Sequence, residues 1–190
     1  MLRECPYARR PLYEKTMSKK PVLPQPRSNV APLGAPLPAA HLERMRAWLI
    51  DTIPHSTALG LEIASMQCGR VMISLPWAQH LVGNADTGVL AGGAITSLLD
   101  SVSGAAVGTR MLQLVPFATL DLRIDYNRPA EPNRTVLAEA ECYRLTPNIA
   151  FTRALAHHGD PATPIAAAAG TFMISTRATP RTASTASAPA

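Results

Sequence analysis

The stretch from residue 91 to 108, AGGAITSLLDSVSGAAVG, limits the fold more than any other part of the chain. Its spacing predicts a long helix whose surface is Gly, Ala and Ser on several sides, with one carboxylate, Asp100, in its midst. One reading is a membrane span, since residues 89–108 carry a single charge. A central aspartate is costly in lipid, however, and no second span accompanies it. A second reading is a buried helix whose Asp100 is paired with an arginine. The third is a carboxylate kept for chemistry.

A helix this apolar needs cover, and the rest of the sequence supplies it as strands. ATLDLRIDYNRP alternates Ala118, Leu120, Leu122, Ile124 and Tyr126 with Thr119, Asp121, Arg123, Asp125 and Asn127, which predicts one core face and one polar face. Three more strands are expected near 135–145, 148–157 and 163–175, separated by turns such as Thr146-Pro147-Asn148 and Gly159-Asp160-Pro161. Two strands are expected within 59–76, turning at Gly69-Arg70. Leu42, Met45, Trp48 and Leu49 predict a first helix over 40–52 that Pro54 stops. Closely spaced strands with short turns mean an antiparallel sheet, so the fold class is α+β, one long central helix wrapped by that sheet.

The 190 residues suit one domain. The net charge of +5 would suggest nucleic acid or a membrane surface as partner, but its distribution argues against both. Residues 1–38 hold seven Lys/Arg against two acids, and 177–190 hold two Arg and no acid, leaving nine basic and eleven acidic residues between them. Both ends are Pro-, Ser- and Ala-rich and are expected to be disordered tails around a domain at 39–176. Met17 offers a second start, and the N-terminus shows no apolar core of a secretory signal. Cys5, Cys68 and Cys142 lack paired spacing, which fits a reducing cytoplasm.

The sequence contains no GxxxxGK[ST], GxGxxG, GxSxG, HExxH or paired CxxC. His157 and His158 are neighbours on an expected strand and so point to opposite faces, which argues against a shared metal. No metal and no cofactor are expected. What remains is Gly92-Gly93 at a helix N-terminus with Asp100 downstream. First-turn N–H groups and the helix dipole stabilise an oxygen that gains negative charge, and glycine lets a substrate approach the backbone. Eight residues of helix span about 12 Å, whereas a base must come within about 3 Å of the water it activates. If both groups serve one carbonyl, the simplest arrangement is a twofold pair of antiparallel helices, with Gly92 of one subunit facing Asp100 of the other.

The segments HLVGNADTGVLAGGAITSLLDSVSGAA, FATLDLRIDYNRPA and AAAAGTFMIS together resemble the hotdog-fold acyl-CoA thioesterases of the phenylacetate-degradation (PaaI-like) type, over residues 40–176. The resemblance implies a hotdog fold, acyl-CoA as substrate, and self-association as a homodimer or dimer of dimers. It makes Asp100 the general base or nucleophile and Gly92 the N–H donor to the thioester carbonyl, with Gly93 beside it in the substrate site. It makes Asn84 a residue that helps hold the carbonyl or water, and it sets Thr119 near the nucleophilic water, although Thr119 falls on the polar side of its strand. Arg128 resembles the family's Arg-Pro corner, where a guanidinium meets a CoA phosphate or remains a surface charge.

Many relatives carry a histidine immediately before the two glycines, where this chain has Ala91. That removes an imidazole beside the acyl carbonyl and leaves the backbone N–H and the carboxylate in place. Thioester hydrolysis is the expected function. The rival is a non-catalytic acyl-CoA binding or regulatory module that kept the cleft and lost turnover. A hotdog hydratase fits less well, because those enzymes rely on a catalytic histidine and this helix has none.

Overall fold

The computed structural model describes residues 32–111 and 115–175. Chain order runs α1 (Ala39–Arg46), continued by a wider π turn over Ala47–Asp51, then α2 (Pro54–Leu59), β1 (Glu62–Gln67) and β2 (Arg70–Leu75). A small hairpin follows, β3 (Val82–Asn84) and β4 (Val89–Leu90), and leads directly into α3 (Gly92–Arg110). The chain closes with β5 (Phe117–Tyr126), β6 (Val136–Leu145), β7 (Ile149–His157) and β8 (Ala166–Ile174). Six strands form one sheet in the order β1-β2-β6-β7-β8-β5, and each neighbouring pair is antiparallel.

The sheet covers α3 as the sequence requires. From Val102 to Thr109 every residue of the helix is buried, and Leu98, Leu99, Val102, Ala105 and Ala106 meet Ile73, Val136, Ala138, Ala154 and Phe172 in one core. Small side chains on α3 let it lie close to the strands, and inward alanines of β6 and β7 accept it. Among the described residues no helix is long and apolar enough to cross a membrane.

Three local features depart from the expectations. Pro54 does not simply end the first helix; it occupies the opening position of α2, where its missing N–H costs nothing. β5 does not keep a clean alternation, because a bulge between Thr119 and Asp121 shifts its register against β8. Leu120, the bulged residue, is 55% exposed although it was expected on the core face, whereas Leu122 and Ile124 keep that face. Tyr126, on the same face beyond them, turns to α3 and is 52% exposed. β5 is also the last strand of the sheet, so its outer edge pairs with no strand among the described residues. Of the expected tails over 1–38 and 177–190, residues 1–31 and 177–190 lie outside the described residues. Residues 32–38, expected to belong to the first tail, contact the body: Gly34 N–H donates to Cys68 O at 2.7 Å and Cys68 N–H donates to Ala35 O at 3.0 Å.

The β3–β4 hairpin is pressed onto the start of α3. A Cβ added at Gly83 would stand 2.7 Å from Ala91 Cα, a backbone atom that cannot turn aside. At Gly104, inside α3, an added Cβ would make ordinary contact with Phe117 and Phe172 at 3.6 and 3.8 Å. Gly83→Ala should therefore cost about 1–3 kcal/mol through overpacking, whereas Gly104→Ala should gain about 0.5–1 kcal/mol by removing a mid-helix glycine. Thermal melts should show the midpoint falling by several degrees for the first and holding or rising for the second; equal shifts would contradict the packing described.

Candidate active site

α3 begins at an N-cap, Ala91, held extended at φ −60° and ψ 136° with no side-chain cap. Ala94 N–H returns to Ala91 O at 3.0 Å, which leaves the N–H groups of Gly92 and Gly93 as the open donors of the first turn. Both glycines are exposed, and a Cβ at Gly93 would meet nothing within 4 Å.

The carbonyls of the same two residues are held from both sides. Thr96 Oγ1 donates to Gly92 O at 3.1 Å, and Ser97 Oγ donates to Gly93 O at 3.0 Å. Each hydroxyl has a partner from outside the helix. Tyr126 OH lies 2.9 Å from Thr96 Oγ1 and donates to Gly92 O at 2.8 Å, while His55 Nε2, on α2, lies 3.1 Å from Ser97 Oγ. Ser97 Oγ is thus shared between the Gly93 carbonyl and His55, which ties α2 to the first turn of α3.

Two turns further on, Asp100 is partly exposed and pairs with no arginine among the described residues. Its Oδ1 accepts from Thr119 Oγ1 at 2.9 Å. Thr119 thus turns toward the helix, which corrects its expected place on the polar side of β5; the bulge at Leu120 explains the change of parity. With Oδ1 held, Oδ2 is left for a water.

Asn84 ends β3 and shapes the loop. Its Oδ1 accepts from Asp86 N–H at 3.0 Å and its backbone O accepts from Gly88 N–H at 2.9 Å, an Asx turn that leaves the side-chain NH2 as a donor. Arg128 is committed to the corner after β5: Nη1 pairs with Glu131 Oε1 at 3.3 Å, and Nη2 donates to Thr163 O at 2.9 Å. Arg134, and more weakly Arg128, hold the Glu131 carboxyl below its usual range.

A cavity of about 400 Å³ opens between Gly92, Tyr126 and Arg128, with apolar walls from Leu90, Ile95 and Ile165. A larger one of about 670 Å³ lies on the sheet around Arg70, Glu141 and Arg153, lined by none of the site residues above. The smaller cavity brings together Gly92, Tyr126 and Arg128, while Asn84, Gly93, Asp100 and Thr119 are not in its wall. Burial raises the pKa of the Cys68 thiol and pushes that of Cys142 up to about 11, which disfavours the reactive thiolate at both. No cluster of three or more His, Cys, Asp or Glu side chains suited to a metal occurs among the described residues. His158 instead accepts from Glu131 N–H at 2.9 Å.

Sequence reasoning missed Thr96, Ser97, Tyr126 and His55. The first two were legible, since hydroxyls four residues after Gly92 and Gly93 can return to those carbonyls. Tyr126 and His55 are brought in by tertiary structure alone.

The sequence pattern of the thioesterase superfamily matches residues 87–165, a span that begins in the loop before α3 and contains Gly92, Gly93, Asp100, Thr119 and Arg128. The medium/long-chain acyl-CoA thioesterase YigI of Salmonella typhimurium is 30% identical over 135 residues, covering 64% of this chain and 86% of that protein. A crystal structure of a Pseudomonas aeruginosa protein, 42% identical, superposes with a TM-score of 0.64 over 70% of this chain and 98% of its own. Escherichia coli PaaI, from the phenylacetic acid degradation operon, superposes with a TM-score of 0.63 over 72% of this chain and 94% of its own. At 17% identity that last likeness speaks for the fold alone, and the fold is the hotdog.

Two buried imidazoles, remote from the first turn of α3, give the fold a pH signature. Burial lowers the pKa of His157 and, together with Arg44, that of His41, both below 6.5. Below pH 6.5 the unfolded chain then binds protons that the folded chain refuses. Their contribution to stability is complete above that pH and is lost as pH falls through the lowered folded values. Urea midpoints should drop between pH 7.5 and 5, and His157→Gln should flatten the slope; a wild-type midpoint unchanged over this range would contradict the assignment.

Proposed function

The chain belongs to the thioesterase superfamily, and we propose that it hydrolyses an acyl-CoA thioester to free acid and CoA, with Asp100 and the first turn of α3 as its machinery. The observation that carries this reading is Asp100 itself: a partly exposed carboxylate free of any ion pair among the described residues, oriented by Thr119, on the same open helix face as two unengaged glycine N–H groups.

The chemistry follows from that arrangement. A water held by Asp100 Oδ2 attacks the thioester carbonyl carbon while the carboxylate accepts its proton. The carbonyl oxygen becomes an oxyanion and is met by the Gly92 N–H at the positive end of the helix, with Gly93 beside it. Collapse breaks the carbon–sulfur bond, and the departing thiolate of CoA takes up the proton. Direct attack by Asp100, giving an acyl anhydride that water then opens, is the variant of this scheme. Asn84 Nδ2 steadies the carbonyl or the water, and Arg128, in the cavity wall, meets a CoA phosphate by exchanging its Glu131 ion pair for it.

Apolar walls at Leu90, Ile95 and Ile165 suit an aliphatic acyl group, which agrees with the medium- and long-chain substrates in the name of the Salmonella relative. Ala91 replaces the family's imidazole with a methyl group and leaves the mouth of this cavity less polar. The unit is proposed as residues 39–176, with Gly34 and Ala35 adding their contact to the β1–β2 turn. A cytoplasmic location and assembly as a homodimer or dimer of dimers belong to the same proposal. The open β5 edge and the exposed face of α3, one beside the other, are the surfaces a second copy would use.

A steady-state assay over acyl-CoA esters, reading free thiol, tests the reading. Thiol release by the wild type that disappears in Asp100→Asn is the expected result; tight ester binding without release would instead make the chain a binding module. The separation of about 12 Å along one helix sharpens this. If Gly92 and Asp100 serve one carbonyl across a twofold axis, Gly92→Pro and Asp100→Asn should each be nearly inactive and should complement each other when co-refolded. Proline is tolerated at this first helical position, and Ala91 already has the extended conformation that a residue before proline prefers. With about half of the dimers mixed, and one intact site in each, roughly a quarter of wild-type activity should return. No recovery, with heterodimers verified by native mass spectrometry, would falsify the shared site.

A further inference from the structure

Tyr126 is the last residue of β5, half exposed, and its ring lies beside Gly92: an added Gly92 Cβ would make ordinary contact with it, 3.5 Å from the hydroxyl oxygen and 3.8 Å from Cζ. Its hydroxyl reaches 2.8 Å to Gly92 O and 2.9 Å to Thr96 Oγ1, which itself donates to Gly92 O at 3.1 Å. The Gly92 carbonyl is therefore within reach of two hydroxyls in addition to its place in the helix: Tyr126 donates to it, and Thr96 donates either to the same carbonyl or to the Tyr126 oxygen, which relays its support to that carbonyl. That carbonyl belongs to the peptide unit whose other end is the N–H of Gly93. Because the unit is planar, fixing the oxygen fixes the direction of that N–H, and each bond accepted by the oxygen polarises the N–H toward stronger donation.

The need for such a device is local. The first turn has two consecutive glycines, the most freely rotating residues available, and its N-cap is an alanine that caps nothing. Left alone, the turn would sample several directions for its open donors. The same residues line the cavity beside it: Gly92 and Tyr126 are both in its wall. An aromatic ring held on an otherwise open sheet edge could also serve packing alone, but packing does not require the hydroxyl to make two hydrogen bonds.

We propose that Tyr126 is a positioning residue for thioester hydrolysis: its hydroxyl, with that of Thr96, aims and strengthens the Gly93 N–H as a second donor to the carbonyl oxygen beside the Gly92 N–H. This rests on the thioesterase reading above. Tyr126 acts through the peptide and not on the substrate, so it controls how well the oxyanion is held in the transition state and contributes little to how tightly the ester binds.

Steady-state kinetics on the best acyl-CoA ester, with thermal melts alongside, tests it. Tyr126→Phe keeps the ring and removes only the hydroxyl. It should lower kcat by about tenfold, less than the 10²- to 10³-fold loss of a whole oxyanion donor, with KM within about twofold and an unchanged melt. Thr96→Val, which leaves β5 untouched, should give a smaller fall of the same kind. Because both hydroxyls act on one carbonyl, the double variant should lose less than the product of the two single losses. Wild-type kcat in Tyr126→Phe, a loss confined to KM, or a double variant that multiplies the single losses would each overturn the positioning role while leaving the thioesterase reading intact. Failure of the wild type to release thiol from any ester would instead overturn that reading, and this proposal with it.

Discussion

Everything in this fold depends on the sheet covering α3 unequally. The C-terminal half of the helix is buried on every side, from Val102 to Thr109, whereas Gly92, Gly93 and Thr96 are exposed and Asp100 partly so. A helix of larger side chains would stand away from the strands; small residues let it sink, and the apolar burial that results is the main source of stability. Thr96, Ser97 and Asp100 lie on the more open half, whereas Ser103 and Thr109 are buried in the other, Thr109 with hydrogen-bond partners. Stability and chemistry are thus divided along one helix, with the buried half holding the open half in place.

The first turn shows how backbone can be made into a site without a dedicated side chain. Two glycines give access and free donors, but they give no rigidity. Rigidity comes from four hydroxyl and imidazole groups: Thr96 and Ser97 from the next turn, Tyr126 from β5 and His55 from α2. The hairpin β3–β4 adds a steric stop, since Gly83 rests on Ala91. Three separate parts of the chain converge on a turn that has no side chains of its own.

Much of this was legible in the sequence, and the parts that were not have physical reasons. The long helix, the antiparallel strands, and the conjunction of Gly92-Gly93 with Asp100 follow from periodicity and from the cost of an apolar helix bearing one charge. Asp100 in particular stood out because a carboxylate in such a run is expensive unless it is partnered or used, and the structure gives it Thr119 as a partner. Thr119 was placed on the wrong side because a one-residue bulge reverses strand parity, and no composition signal marked Leu120 as the bulged position. Pro54 was read as a stop although it also starts α2, since proline suits both a helix end and a first turn. The contributions of His55 and Tyr126 depend on contacts 42 and 34 residues distant in sequence, which no local pattern encodes.

The central claim is that one reaction centre draws on two places of α3 about 12 Å apart along the helix axis, and therefore on two copies of the chain. The most direct measurement is a crystal structure with a non-hydrolysable acyl-CoA analogue that keeps the carbonyl. The account predicts the carbonyl oxygen within about 3 Å of the first-turn N–H groups of one subunit, the acyl chain in the cavity beside Leu90, Ile95 and Ile165, and Asp100 of the partner subunit facing the carbonyl carbon. An analogue seated wholly within one protomer, or in the cavity around Arg70, Glu141 and Arg153 with every Asp100 remote, would contradict it.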